Sequence, residues 1–526
     1  MKVLITDPIA TEGVDILQQY ADVDIQKVLT PEQLQSIIGH YEALIVRSRT
    51  KVTANIIDAA NKLYVIGRAG VGVDNIDVDA ATRRGILVVN SPEGNIISTA
   101  EHTIAMLLAL ARHIPKADSL LHAGVWNREI KGSEIRNKIL GIIGLGRVGT
   151  EVAEMAKGLH MNVIAYDPMI SESRAERLGV QLTELETLLA RSDFIAIHVP
   201  LNSTTRGLIS SDQLKLVKPT AMIINCARGG IVDEKALYDA LNQGLLAGAA
   251  VDVFSQEPAL DNILLKSDRV VVTPHLAAST IEAEASASID IAEQVVAILK
   301  GYPAKFPVNA PRISTEAMSV LGPYVQVGTT IGRVVVQLIE GQLKSLAIRY
   351  QGDIAKEDTN PIKVAVLAGL LETLTEERVN MVNADIIANN RGLRVTEQKD
   401  STCENYANML TVEVYTKSGS TLVAGSSLRG KTHLTRVNDF WLEIEPFGSY
   451  MVFTEHKDRP GMIGAVGTII GNANVNISQM QVSRNVQRGS GAMMALCLDE
   501  PLPVECYQQI VAMPDMHKVL IVKLAR

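Results

Sequence analysis

The chain has 526 residues, of which 47% are hydrophobic and 21% charged. That length exceeds a single core and implies roughly three or four domains, and the composition is far from that of a disordered chain. A net charge of -8 provides no basic field for nucleic acid or an anionic membrane, so an anionic substrate must be held by local arginines and lysines.

The four cysteines (Cys226, Cys403, Cys497, Cys506) are scattered, with neither metal-ligand nor disulfide spacing, so no metal is expected. The N-terminus reads Met1-Lys2-Val3-Leu4-Ile5-Thr6-Asp7, a strand ending in an acid and unlike a signal peptide. No run of 18 apolar residues occurs, and the expectation is a soluble cytoplasmic protein with no membrane span.

Over the first ninety residues, strands are expected at Val3–Thr6, Val23–Val28, Ala43–Val46, Tyr64–Ile66 and Leu87–Val89. Helical patterns lie between them at Thr11–Tyr20, Pro31–Ile38 and Thr53–Ala60, which indicates a parallel sheet covered on both faces. One long helix is expected from Ser98 to His122, opened by a capping box of Ser98 and Glu101. A second βα set follows with strands at Ile139–Ile143, Val163–Tyr166, Phe194–Val199, Met222–Asn225, Ala249–Val253 and Val270–Thr273, and helices notably at Val148–Leu159 and Glu234–Gln243. Six strands in βα units make a complete dinucleotide fold. A helix at Ile281–Lys300 leads to a boundary marked by Gly301, Pro303, Pro307 and Pro311. Helices are then expected at Glu316–Glu340 and Pro361–Asn389, and strands at Thr411–Thr416 and His433–Glu445. Residues 450–526 read strand, helix, strand, strand, helix, strand, a ferredoxin-like βαββαβ unit.

Gly144-Leu145-Gly146-Arg147-Val148-Gly149 follows an apolar strand and opens a helix, which raises a weak glycine pattern to a dinucleotide site. Gly144 allows the tight turn, Gly146 lets backbone N–H groups approach a pyrophosphate, and Gly149 lets the helix pack against the strand. Asp167, at the end of the next strand, suits the ribose hydroxyls and repels a 2′-phosphate, which favours NAD over NADP.

His275, just past a strand end, has the chemistry of an acid/base for a hydroxyl proton. Glu257 can orient it and stabilise its protonated form. Arg228, also after a strand, can grip a carboxylate and polarise the neighbouring carbonyl. Singly each has a structural alternative, but in this order after the dinucleotide turn they point to hydride transfer on a 2-hydroxy acid. Val46-Arg47-Ser48-Arg49-Thr50 offers two cations and two hydroxyls for a phosphate, although such a pair is also what a solvated rim carries. The turn at Gly70, Val71 and Gly72 has free N–H groups for a carboxylate.

The glycine turn, Asn225–Asp233 (Asn-Cys-Ala-Arg-Gly-Gly-Ile-Val-Asp), Asp252-Val253-Phe254 with Glu257-Pro258, and Pro274-His275-Leu276-Ala277 resemble the D-isomer-specific 2-hydroxyacid dehydrogenases. The resemblance implies Arg228, Glu257 and His275 as the catalytic trio. It places Arg147, Val148, Val199, Cys226, Ala227, Asp252, Ala277 and Ala278 around NAD. It further implies an α/β architecture in which a Rossmann-type NAD domain (98–280) is inserted in a flavodoxin-like substrate domain (1–97 and 281–311). An α+β intervening domain (312–447) and an ACT domain (448–526) follow.

Across its whole length the chain is similar to the long members of that family that oxidise 3-phosphoglycerate to 3-phosphooxypyruvate, the first step of L-serine synthesis. In these, Arg47 and Arg49 would hold the phosphate, and Trp126 and Lys131 would reach it from a neighbouring subunit. His456, Asp458 and Asn476 match an effector site for L-serine, with a purely architectural dimerisation module as the alternative. An amide is usual where Asp458 stands. A homodimer or homotetramer is expected. The competing readings are a glyoxylate or hydroxypyruvate reductase and a regulator that binds NAD without turnover.

Overall fold

Short strands built only from apolar residues have no polar face to offer water and need helices on both sides. Ala43–Val46 and Phe194–Ile197 are of this kind, and every residue in them is buried. The computed structural model, which describes residues 1–27, 29–314, 316–484 and 491–524, places them centrally in two parallel sheets.

The first sheet has the flavodoxin-like order Asp22–Ile25, Lys2–Ile5, Ala43–Val46, Val65–Arg68, Leu87–Asn90. The expected end of its Val23–Val28 strand, Val28, lies outside the described residues. Helix Ile281–Leu299 returns after the second sheet to cover one face of the first, packing Ile291, Ala292 and Val295 on Val3, Ile5 and Val65. The first core is therefore made from two separate stretches of chain.

The second sheet is also parallel, in the order Val270–Val272, Gly248–Val251, Met222–Asn225, Phe194–Ile197, Ile139–Ile143, Asn162–Tyr166, Gln181–Leu182. It carries one strand more than expected, because Gln181–Leu182 is too short to show an apolar period. The order reverses between Ile139–Ile143 and Phe194–Ile197, which opens a crevice at their carboxyl ends.

The expected helix from Ser98 to His122 is two helices, Ile96–Ala111 and Ile114–His122. Pro115 cannot donate a hydrogen bond and its ring excludes the carbonyl four residues back, so the chain turns at His113 through a left-handed φ of 52°. The capping box at Ser98 is absent as well. The helix starts before it, and Ser98 Oγ instead meets Thr280 Oγ1 at 2.8 Å, where the two segments that join the sheets touch.

The third sheet is mixed, in the order Arg394–Asp400, Ser345–Gly352, Asn408–Tyr415, Ser420–Leu428, Lys431–Val437, Phe440–Ile444. The expected strand at His433–Glu445 is a hairpin that turns at Asn438 (φ 49°), and the expected helix at Pro361–Asn389 is split into Asn360–Glu372 and Ala384–Asn390. The fourth sheet, Ile477–Arg484, Gly491–Leu498, Tyr450–Lys457, Met516–Lys523, is antiparallel with helices Met462–Asn472 and Val504–Val511 on one face, the expected ferredoxin-like unit. Its other face buries Phe453, Met493 and Cys497 in the same core as Val335 and Ile444, so the last two sheets share one interior. This pair is fastened to the first sheet by Arg378, which donates to the Leu63 carbonyl at 2.6 Å and covers the Tyr64 ring, and by Asn380, which donates to the Gly85 carbonyl at 2.7 Å.

Candidate active site

The crevice begins at the turn after Ile139–Ile143. Gly144 has φ 96°, and a Cβ there would lie 2.8 Å from the His198 carbonyl oxygen and from Val199, so only glycine fits. A Cβ on Gly149 would lie 2.1 Å from the Gly144 carbonyl, which seats the helix Arg147–Gly158 directly on the turn. A Cβ on Gly146 would meet nothing within 4 Å, and this open side is the space a pyrophosphate needs above the helix N-terminus. Asp167 closes the rim, accepting from Leu145 N at 2.8 Å and Met169 N at 2.9 Å. These residues fit a dinucleotide. Val148 packs toward the core, Cys226 is buried in it, and burial pushes the Cys226 thiol up to about 12, which leaves it an inert wall.

Asn225, which the residue pattern did not single out as functional, holds the next turn. Its amide donates to the Arg228 carbonyl at 3.0 Å and accepts from Ala227 N at 3.1 Å. Arg228 then reaches across to the first sheet, with Nε 3.8 Å from Asp74 Oδ2 and Nη2 2.7 Å from where a Cβ on Gly72 would stand. The expected carboxylate turn and the expected carboxylate arginine are thereby brought together.

His275 is held in a left-handed conformation (φ 57°), with Nδ1 2.8 Å from Glu257 Oε2, while Glu257 Oε1 accepts from Phe254 N at 3.0 Å. The neutral ring donates its Nδ1 proton to the carboxylate, which leaves Nε2 as the acceptor. Asp252, expected at the cofactor, is fully buried and anchors this loop. Its carboxylate accepts from Thr273 Oγ1 at 2.6 Å, Leu276 N at 2.8 Å and Ala277 N at 3.0 Å, with His102 Nε2 at 3.4 Å. Burial works to raise its pKa, but these donors outweigh burial and keep it below the usual carboxylate value. Ala278, the last of the residues expected at the cofactor, follows half-buried.

The loop bearing Arg47, Ser48 and Arg49 is locked from the end of the first strand and from the turn at Asn75. Asp7 accepts from Arg47 N at 2.6 Å, Thr50 N at 3.1 Å and Thr50 Oγ1 at 2.8 Å, and Asn75 donates to the Arg47 and Thr50 carbonyls at 2.7 and 2.6 Å. Arg47 itself meets Glu284 at 2.8 Å, and Arg147 of the glycine turn meets Glu93 at 3.3 Å. Trp126 and Lys131 are not brought to this cleft within one chain. Trp126 is 78% exposed, and both follow helix Ile114–His122, which has no buried residue.

The three effector positions are likewise not assembled within one chain. Ile477 and Tyr450 both pair with Leu498, whereas His456 and Arg484 both pair with Ala492, so Asn476 sits at the opposite end of the sheet from His456 and Asp458. At the strand rise that is a separation of about 20 Å. Asn476 donates to Asp499 at 2.6 Å, Asp458 meets Arg484 at 3.7 Å, and burial lowers the pKa of His456.

Residues 104–277 match the NAD binding domain of the D-isomer specific 2-hydroxyacid dehydrogenases, 320–438 the D-3-phosphoglycerate dehydrogenase intervening domain, and 450–510 the ACT domain. D-3-phosphoglycerate dehydrogenase of Synechocystis is 45% identical over 99% of this chain and 95% of its own length. The enzyme of that name from Methanocaldococcus jannaschii is 42% identical over the whole of both chains. The solved D-lactate dehydrogenase of Aquifex aeolicus, complexed with NAD and lactic acid, superposes with a TM-score of 0.54 at 28% identity, covering 59% of this chain and all of its own. The chain belongs to the D-3-phosphoglycerate dehydrogenase branch of the D-isomer-specific 2-hydroxyacid dehydrogenase family.

Proposed function

We propose that the cleft between the first two sheets oxidises 3-phosphoglycerate to 3-phosphooxypyruvate, the entry step of L-serine synthesis, with residue roles as follows. Arg228 and the N–H groups of the 70–72 turn hold the substrate carboxylate, and Arg228 polarises the C2 oxygen. Arg47 and Arg49 hold the phosphate, Arg47 exchanging Glu284 for it. His275 Nε2 takes the C2 hydroxyl proton, and Glu257 stabilises the imidazolium that results. NAD, held over the glycine turn, supplies the hydride acceptor. The observation that carries this reading is Arg228 reaching the 70–74 turn in the cleft that the locked Arg47 loop also borders.

The same reading divides the chain into a substrate domain (1–97 with 281–311), an NAD domain (98–280), an intervening domain (312–447) and an ACT domain (448–526), in a cytoplasmic homodimer or homotetramer. The bare helix Ile114–His122 with Trp126 suits a subunit contact that delivers Trp126 and Lys131 to the neighbour's cleft. L-Serine is proposed to bind between two copies of the last sheet. Antiparallel apposition of two Ile477–Arg484 edges sets Asn476 of one copy level with His456 and Asp458 of the other.

Steady-state kinetics of Arg47→Gln with Arg49→Gln test the substrate. Loss of two charge-assisted contacts is expected to raise the KM for 3-phosphoglycerate by about tenfold or more. An unchanged KM would point to an unphosphorylated acid.

A further inference from the structure

Of the guanidinium groups that border the cleft, Arg47 and Arg228 each meet a carboxylate, Glu284 at 2.8 Å and Asp74 at 3.8 Å, and Arg228 also donates to the Ala227 carbonyl at 2.8 Å. Arg68 differs. It ends strand Val65–Arg68, its Nε is buried without an acceptor, and among the described residues its guanidinium takes part in no hydrogen bond or ion pair. It folds onto the carboxylate turn, since a Cβ on Gly70 would lie 2.1 Å from Arg68 Nη1, while Arg228 Nη2 stands 2.7 Å from the Cβ position of Gly72. Two guanidinium groups therefore touch one three-residue turn from its two ends.

Charge makes this arrangement incomplete. Burial first, then the repulsion of Arg228, lowers the Arg68 pKa to about 10, so the group is still a cation at neutral pH. The nearby acids do not balance it: Asp7 is occupied by the Arg47–Thr50 loop, and the Asp74 side chain is 84% exposed and already shared with Arg228. A partly buried cation beside a second cation, with no partner, is costly unless an anion joins them. A plug that merely filled space under the turn would bond nearby carbonyls, as Arg269 does to Leu241 at 3.1 Å. Arg68 bonds none.

We propose that Arg68 is a second carboxylate-binding residue, gripping the substrate carboxylate opposite Arg228 over the 70–72 turn. This rests on the 2-hydroxy acid reading above and adds to it a binding residue on the strand next to the one that leads into the phosphate loop, Arg68 standing opposite Val46. Every 2-hydroxy or 2-oxo acid carries the carboxylate, so the contribution of Arg68 is independent of the phosphate, whereas that of Arg47 and Arg49 is not.

The test measures KM in the NADH-oxidising direction for 3-phosphooxypyruvate and for hydroxypyruvate, which lacks the phosphate. Arg68→Leu should raise both by a similar factor of about ten to a hundred, the loss of one charge-assisted contact. Arg68→Lys should recover much of it, with the dissociation constant for NADH close to wild type in both variants. If Arg68→Leu fails to bind NADH, Arg68→Gln against Arg68→Lys provides the same contrast. Wild-type KM for both acids in the uncharged variant overturns the proposal, and so does a rise confined to 3-phosphooxypyruvate, which would move Arg68 to the phosphate side. Failure of the phosphorylated-substrate reading appears separately, as Arg47→Gln with Arg49→Gln raising neither KM, and leaves the Arg68 contrast readable with hydroxypyruvate.

Discussion

Asp252→Ala removes one fully buried carboxylate and with it the anchor of the His275 loop. The Leu276 and Ala277 N–H groups, 2.8 and 3.0 Å from its oxygens, lose their acceptor, as does Thr273 Oγ1 at 2.6 Å. Two stranded backbone donors at about 1–3 kcal/mol each imply a loss of about 2–4 kcal/mol, allowing for partial access of water to one of them. His275 lies between Thr273 and Leu276 in a left-handed conformation, its N–H on the Asp252 and Thr273 carbonyls at 2.8 and 3.0 Å, and without the side-chain anchors on either side the loop and its ring should drift. A displacement of about 1 Å costs on the order of a hundredfold in kcat. Thermal unfolding, kcat and the NAD dissociation constant together form the assay, and the prediction is a large fall in kcat with a much smaller change in NAD binding. A kcat within twofold of wild type, or a collapse of NAD affinity with kcat intact, would refute the anchoring role. The carboxylate also sets a pH limit. Its folded pKa is lowered, so the stabilisation is fully present above the ordinary value of about 4 and is lost as pH falls below it through the lowered value. Asp252→Asn should flatten that acidic limb.

Asp167→Ala should narrow the preference for NAD over NADP by about tenfold or more, since a carboxylate facing a 2′-phosphate is removed. Because Asp167 also holds Leu145 N and Met169 N, NAD affinity itself should fall, and unchanged discrimination would show that the ribose contact is misassigned. Titration of L-serine into the working assay should depress the wild-type rate and leave Asn476→Ala much less affected. Equal sensitivity, or no response in wild type, would reduce the last sheet to an architectural role.

The two parallel sheets were legible because most of their strands are largely apolar and their turns carry short local patterns. The third sheet was legible only in part: the expected Thr411–Thr416 overlaps strand Asn408–Tyr415 and the expected His433–Glu445 covers a hairpin, but its other strands were missed. Arg394–Asp400 reads Arg-Val-Thr-Glu-Gln-Lys-Asp and has no buried residue, so no apolar period marks it. The break of the Ser98–His122 helix was visible in principle, since Pro115 stands in it. At the site, the residues that do chemistry lie in contiguous motifs, whereas those that hold them act at a distance. Asp7 reaches Arg47 and Thr50, Asn75 spans the same loop, and His102 meets Asp252 from the helix that joins the sheets. A strand ending in Asp7 is a faint hint, and spacing alone cannot say what a carboxylate will grip. The effector trio shows the converse limit, because matching positions in one chain are separated by the length of a strand.

The central claim is that His275, paired with Glu257 at 2.8 Å, moves the proton while the glycine turn holds NAD. Initial-rate NADH formation from 3-phosphoglycerate and NAD, set beside NAD binding, tests it in wild type and His275→Ala. The account predicts steady NADH formation in wild type, a fall in kcat of about a hundredfold or more in the variant, and an NAD dissociation constant that stays within about twofold. Substantial turnover by His275→Ala, or NAD binding by wild type with no NADH formed from the phosphorylated acid, would contradict it.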